Sequence, residues 1–199
     1  MNGWNVAAMM SIAAALAVAP TLLARGENAR DRTPPDPPRE RPKGAVENCS
    51  TRSMAGTFPG SPYSDPHNVV VGPLVLVGAA HTPARTVREY GGNKFPLLVR
   101  AGHRVTVALS PETRRVAGLG YGPLPQGVHL APSDGHRVVT FKACRRDKNS
   151  GSNADGRPVT FWSGGVLTSS PRCVPLEVWV DDEPSPRHVS LRMGVRRCP

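Results

Sequence analysis

No catalytic or cofactor signature stands in this chain, and each absence removes a class of function. Its six histidines are His67, His81, His103, His129, His136 and His188. None forms H-x-H, H-x-x-H or H-E-x-x-H, so no zinc protease helix is present. There is no G-x-S-x-G elbow and no glycine run with phosphate-loop spacing. The four cysteines are separated by 94, 28 and 24 residues, whereas structural zinc sites draw on close pairs. Cys173, His188 and Met193 follow the order of a copper site, but the spacing is wrong for one. Asp181-Asp182-Glu183 sits beside Pro184 and reads as a solvated turn. The expectation is therefore a chain without cofactor or metal, and not an enzyme. The enzymatic alternative is an envelope hydrolase or transferase assembled from unlinked loop residues, with His129, Asp134 and His136 as its candidates.

Two features are present in strength. Val6 to Ala24 is an uncharged run of 19 residues rich in Ala, Leu, Val and Met. At roughly 1.5 Å per residue, a helix of that length spans a bilayer. Residues 1–24 are read as a signal peptide or a retained membrane anchor. Ala17-Val18-Ala19 fits the small-x-small cleavage pattern, although Pro20 directly behind it opposes the cut. The leader before the run carries no Lys or Arg, while Arg25, Arg30 and Arg32 follow it. On the positive-inside rule alone, that asymmetry argues against export. The second feature outweighs it: Cys49, Cys144, Cys173 and Cys198 all lie downstream, an even set suited to two disulfides in an oxidising compartment. An extracytoplasmic location is expected, either secreted or anchored by the N-terminal segment.

Residues 25–47 are charged and carry Pro34, Pro35, Pro37, Pro38 and Pro42. They show no apolar periodicity and are expected to form a disordered, semi-rigid linker. The remaining 152 residues, 48–199, are enough for one domain with a real core.

The net charge is +10, and arginine outnumbers lysine 21 to 4. Part of this excess matches the Arg-, Ala-, Gly- and Pro-rich coding bias of a high-GC genome. The remainder implies affinity for anionic envelope polymers or lipid head groups. Arg145 and Arg146, next to Lys148, and Arg196 and Arg197 are the clustered candidates for anion contact. Nucleic acid is not the expected partner. The partners foreseen are the membrane, through an uncleaved N-terminal segment, and an anionic envelope polymer or another surface protein.

From Asn68 onward the pattern is β. Val69–Val77, Lys94–Arg100, Arg104–Leu109, Arg115–Tyr121, Arg137–Cys144, Val159–Trp162, Val166–Thr168, Cys173–Val180 and Val189–Val195 are rich in β-branched or alternating residues. Only Thr82–Tyr90 offers a helical stripe. Turn signals every 8–12 residues predict an all-β fold, an antiparallel β-sandwich that is loosely Ig-like. Ser163-Gly164-Gly165 reads as a bulge or a tight turn. If the last four strands form a simple meander, Cys173 and Cys198 meet at one end, leaving Cys49 for Cys144. If Ser163-Gly164-Gly165 is a hairpin, Cys144–Cys173 and Cys49–Cys198 become natural. The first pattern is preferred, and both stay open. Trp162, beside two glycines that allow close approach, is the candidate ligand-facing aromatic.

Val139-Thr140-Phe141-Lys142-Ala143-Cys144, Phe161-Trp162-Ser163-Gly164-Gly165, Arg172-Cys173-Val174-Pro175-Leu176 and the stretch from Gly194 to Cys198 carry a likeness. Over roughly residues 68–198 the chain resembles an uncharacterised group of exported, disulfide-containing proteins of high-GC Gram-positive bacteria. The resemblance implies an exported, β-rich protein and carries over no functional residue. The expected role is non-enzymatic binding or structural work at a bacterial cell surface.

Overall fold

The computed structural model describes residues 40–125, 129–145 and 151–199. The predicted leader (1–24) and the linker up to residue 39 lie outside the described residues. Among those described, the chain forms fourteen strands, one α-helix and one 3-10 turn.

Three sheets account for them. The five-stranded sheet runs β1 (Ala45–Glu47), β9 (Val138–Lys142), β7 (Arg104–Leu109), β13 (Arg172–Val180), β14 (Arg187–Met193). The six-stranded sheet runs β2 (Gly56–Thr57), β10 (Ser152–Ala154), β11 (Arg157–Trp162), β6 (Leu97–Arg100), β4 (Leu74–Leu76), β3 (Val69–Val71). The three-stranded sheet runs β5 (Gly92–Lys94), β12 (Gly164–Thr168), β8 (Ala117–Tyr121). Helix α1 covers Ala84–Tyr90.

Pairing is antiparallel except at two edges, where β1 lies parallel to β9 and β2 parallel to β10. These pairs correct the all-antiparallel expectation. A strand that enters at a sheet edge from a long connection need not reverse direction as a hairpin does. The same edge corrects the linker boundary. Ala45–Glu47 lies within the stretch expected to be disordered, yet it pairs with Val139–Phe141. Its order comes from a partner nearly a hundred residues away, which local composition does not register.

The core explains why the alternation holds. Leu74, Leu97, Val99, Val105, Val107, Leu119, Phe141, Leu176 and Leu191 from all three sheets join one buried cluster. Tyr121 reaches into it, and its hydroxyl donates to the Phe95 carbonyl oxygen at 2.9 Å. A smaller cluster of Val75, Leu98, Ala154 and Val159 is closed by Phe58, Tyr63, Val77 and Phe161. Fully burying an aliphatic or aromatic side chain contributes about 1.5–3 kcal/mol, so the large cluster is the main source of stability.

The bridges are Cys49–Cys144 and Cys173–Cys198. Register places them at opposite ends of the five-stranded sheet. Arg104 faces Lys142 at the Cys144 end, while Arg172 faces Met193 at the other. Ser163 is neither bulge nor hairpin. β11 ends at Trp162 in the six-stranded sheet, and β12 begins at Gly164 in the three-stranded one, so the chain turns a corner between sheets.

Candidate functional site

Among the described residues, a well-formed concavity lies where α1 meets the three-stranded sheet. Helix α1 stops at Gly91, whose φ of 70° is left-handed and whose N–H bonds the Val87 carbonyl. A Cβ at Gly91 would lie 1.9 Å from the Leu130 carbonyl oxygen, so only glycine lets the two segments touch. At Gly165 a Cβ would fall 2.1 Å from the Asn93 carbonyl oxygen. The bare backbone there lets β12 close on β5, so this glycine serves strand packing.

The result is a groove of about 710 Å³, within the roughly 300–1,000 Å³ of small-molecule sites. Tyr90, Leu124, Leu130 and Leu167 give it apolar walls, and Asn93, Lys94, Thr86 and Ser163 add polar groups. Asn93 is fixed: its Nδ2 donates to Thr82 Oγ1 at 3.2 Å, and its Oδ1 accepts the Lys94 N–H at 3.0 Å. Chemically, the groove suits a mostly apolar ligand with a few hydrogen-bonding groups.

A second, shallower cleft of about 430 Å³ opens at the Cys144 end of the five-stranded sheet. His103 Nδ1 stands 2.7 Å from Asp181 Oδ2, and Asp181 Oδ1 accepts the Arg104 N–H at 2.9 Å. Asp181 adopts a left-handed φ of 42° at the end of β13. Burial pushes its carboxyl up, but the bonds from the Arg104 N–H and the His103 ring outweigh that and hold it below the ordinary range. Arg104 also bonds Asp182 at 2.6 Å, and Arg41 Nη2 donates to the Asp181 carbonyl oxygen. The pair fixes the orientation of an imidazole. Lys142, Ala143 and Asp182 also line the cleft around the pair.

The other predicted positions are dispersed. His129 Nδ1 lies 3.2 Å from the Glu89 carbonyl oxygen. Asp134 accepts the Ala131 N–H at 2.7 Å. The backbone of His136 bridges Leu119. Each is engaged by a different stretch of backbone. Among the described residues no group of three His, Cys, Asp or Glu is placed to hold a metal.

Trp162 corrects the expectation of a ligand-facing ring. It is buried, packs on Phe141 with ring centroids 5.2 Å apart, and donates from Nε1 to the Asn48 carbonyl oxygen at 3.3 Å. The neighbouring glycines let β12 close on Tyr121 of β8 and Asn93 of β5, and the ring fills the core. Trp179 is also buried, under the Arg41 guanidinium 5.9 Å from the ring centroid.

The proposed anion contacts do not form one patch. Arg145 follows Cys144 at one end of the five-stranded sheet, Arg196 and Arg197 precede Cys198 at the other, and Arg146 lies outside the described residues. Sequence reasoning missed the His103–Asp181 pair, because β7 and β13 bring together residues 78 apart. It also missed the groove, although Gly91-Gly92 behind a helical stripe signalled the stop that shapes it.

No protein-family model, curated protein or solved structure matches this chain. The sheets, bridges and clefts therefore carry the functional reading by themselves.

Proposed function

We infer that this is an extracytoplasmic β-sandwich module, loosely Ig-like, with a non-enzymatic binding role at a bacterial cell surface. It is secreted, or held to the membrane by residues 1–24. The observation that carries the reading is the pair of bridges closing opposite ends of one sheet, with no free thiol among the described residues. Cytosolic reductants keep such thiols reduced, so a fold framed this way belongs in an oxidising compartment. The groove beside Tyr90 and Lys94 supports binding, since it joins apolar walls to a few fixed polar groups. Against the enzymatic alternative, His129, Asp134 and His136 are engaged separately.

The test is intact mass of the protein isolated from its native envelope, with and without reductant. Two bridges add about four mass units on reduction, since each takes up two hydrogens. Four free thiols in freshly isolated, alkylated material would overturn both the location and the role.

A further inference from the structure

We propose that the Cys173–Cys198 end of the domain is a polyphosphate-binding pole, and that its partner is a linear envelope polymer of repeated phosphodiesters. This deepens the binding reading above and rests on it.

The fold gathers arginines here that lie far apart in sequence. Arg172 begins β13, Arg192 sits opposite Cys173 on β14, and Arg196 and Arg197 follow on the way to Cys198. Helix α1 is seated against the same end. The Gly194 N–H bonds the Thr82 carbonyl oxygen at 2.9 Å, and a Cβ at Gly194 would come within 3.0 Å of the Ala84 Cα. That contact brings in Arg85 and Arg88. The turn after β7 adds Arg114 and Arg115, because the Ser110 N–H bonds the Pro175 carbonyl oxygen and the Ser169 N–H bonds the Val116 carbonyl oxygen.

The eight arginines on these segments, with a ninth, Arg137, whose side chain bonds the Ala117 and Pro132 carbonyl oxygens, meet three acids. Glu89 is shared by Arg85 and the Tyr90 hydroxyl, Asp134 caps the Ala131 N–H, and Glu112 is exposed. Arg88, Arg115, Arg196 and Arg197 are exposed and have no acidic partner among the described residues. The acidic tip Asp181-Asp182-Glu183 lies at the opposite end of β13, so the charge is separated along the sheet.

The chemistry selects the partner. Guanidinium forks match phosphate oxygens, and their spread over several separate segments suits many spaced phosphates better than one enclosed anion. A bilayer surface is the poorer fit. Of the large hydrophobic residues exposed in the described chain, Val46, Met54, Val70 and Tyr90, only Tyr90 stands near this end, so little is available to insert among acyl chains.

The experiment compares three full-length proteins, each confirmed by mass to hold both bridges. They are the wild type, the pole variant R88Q/R115Q/R196Q/R197Q and the charge-matched control R104Q/K142Q/R157Q/R187Q, whose cations lie away from the pole. The probes are soluble poly(glycerol phosphate), neutral dextran and phosphatidylglycerol vesicles. With a salt slope of about 0.7 per phosphate contact, four lost contacts lower the slope by about 3. Raising salt fourfold then weakens wild type about 50-fold more than the pole variant. The proposal stands if the control keeps the wild-type slope and dextran does not bind. Equal losses in both variants, no polymer binding, or stronger pole-dependent binding to vesicles would overturn it. Any of these with bridges intact defeats this inference alone, whereas free thiols in the native envelope defeat the reading beneath it.

Discussion

Removing the two bridges one at a time should destabilise the domain unequally, in an order set by the length of chain each one closes. Cys49–Cys144 spans 95 residues and Cys173–Cys198 spans 25. On the chain-entropy account, the longer loop restricts the unfolded chain by about 4.7 kcal/mol and the shorter by about 3.5 kcal/mol. The expected gap is about 1.2 kcal/mol. Packing widens it, because Cys144 is buried whereas Cys173 is only half-buried. The assay is equilibrium urea unfolding of the full chain as C49A/C144A and as C173A/C198A. The first variant should unfold at lower urea. An equal cost, or a larger one for C173A/C198A, would refute the entropy argument and show that local strapping of β13 to the C-terminus dominates instead.

Three further outcomes follow from the packing and charge. Trp162→Ala should cost about 3–5 kcal/mol by urea unfolding, since it empties a site walled by Phe141 and leaves the Asn48 carbonyl without the indole donor. Gly165→Ala should cost about 1–3 kcal/mol by thermal melting, because the new methyl meets backbone at 2.1 Å, while Gly60→Ala, with open space around it, should show only the strain of its positive φ. Asp181→Asn should be less stable than wild type near neutral pH. The native carboxyl titrates below its unfolded value, so its contribution is present above about pH 4 and is lost as pH falls through the native value. The gap between the two proteins should therefore close in acid, and a gap unchanged at about pH 2 would contradict the assignment.

The sequence foretold the strands that pattern alone can specify. Arg104–Leu109 alternates and appears as β7, and Cys173–Val180 lies within β13. Val69–Val77 divides at Gly72, whose φ of 58° makes the turn between β3 and β4. The helical stripe near Thr82–Tyr90 became α1. What stayed hidden depended on partners. β1, β2 and β10 are two or three residues long and ordinary in composition, and each is a strand only because a neighbour supplies its hydrogen bonds. Trp162 failed as a site candidate for a related reason. Adjacent glycines look alike in sequence whether they cradle a ligand or let neighbouring strands close on each other, and only the third dimension separates the cases. Arg196 and Arg197 were visible as a pair, but the six arginines converging on them come from four other segments.

The two cross-links also decide how the domain responds to a protease. A single nick anywhere between Cys49 and Cys144, or between Cys173 and Cys198, leaves both fragments covalently joined. Within the stretch from Cys49 to Cys198, a cut between Cys144 and Cys173 is the one that yields two pieces with no sulfur between them. A first cleavage inside either loop would thus be silent on a non-reducing gel and would show only after reduction.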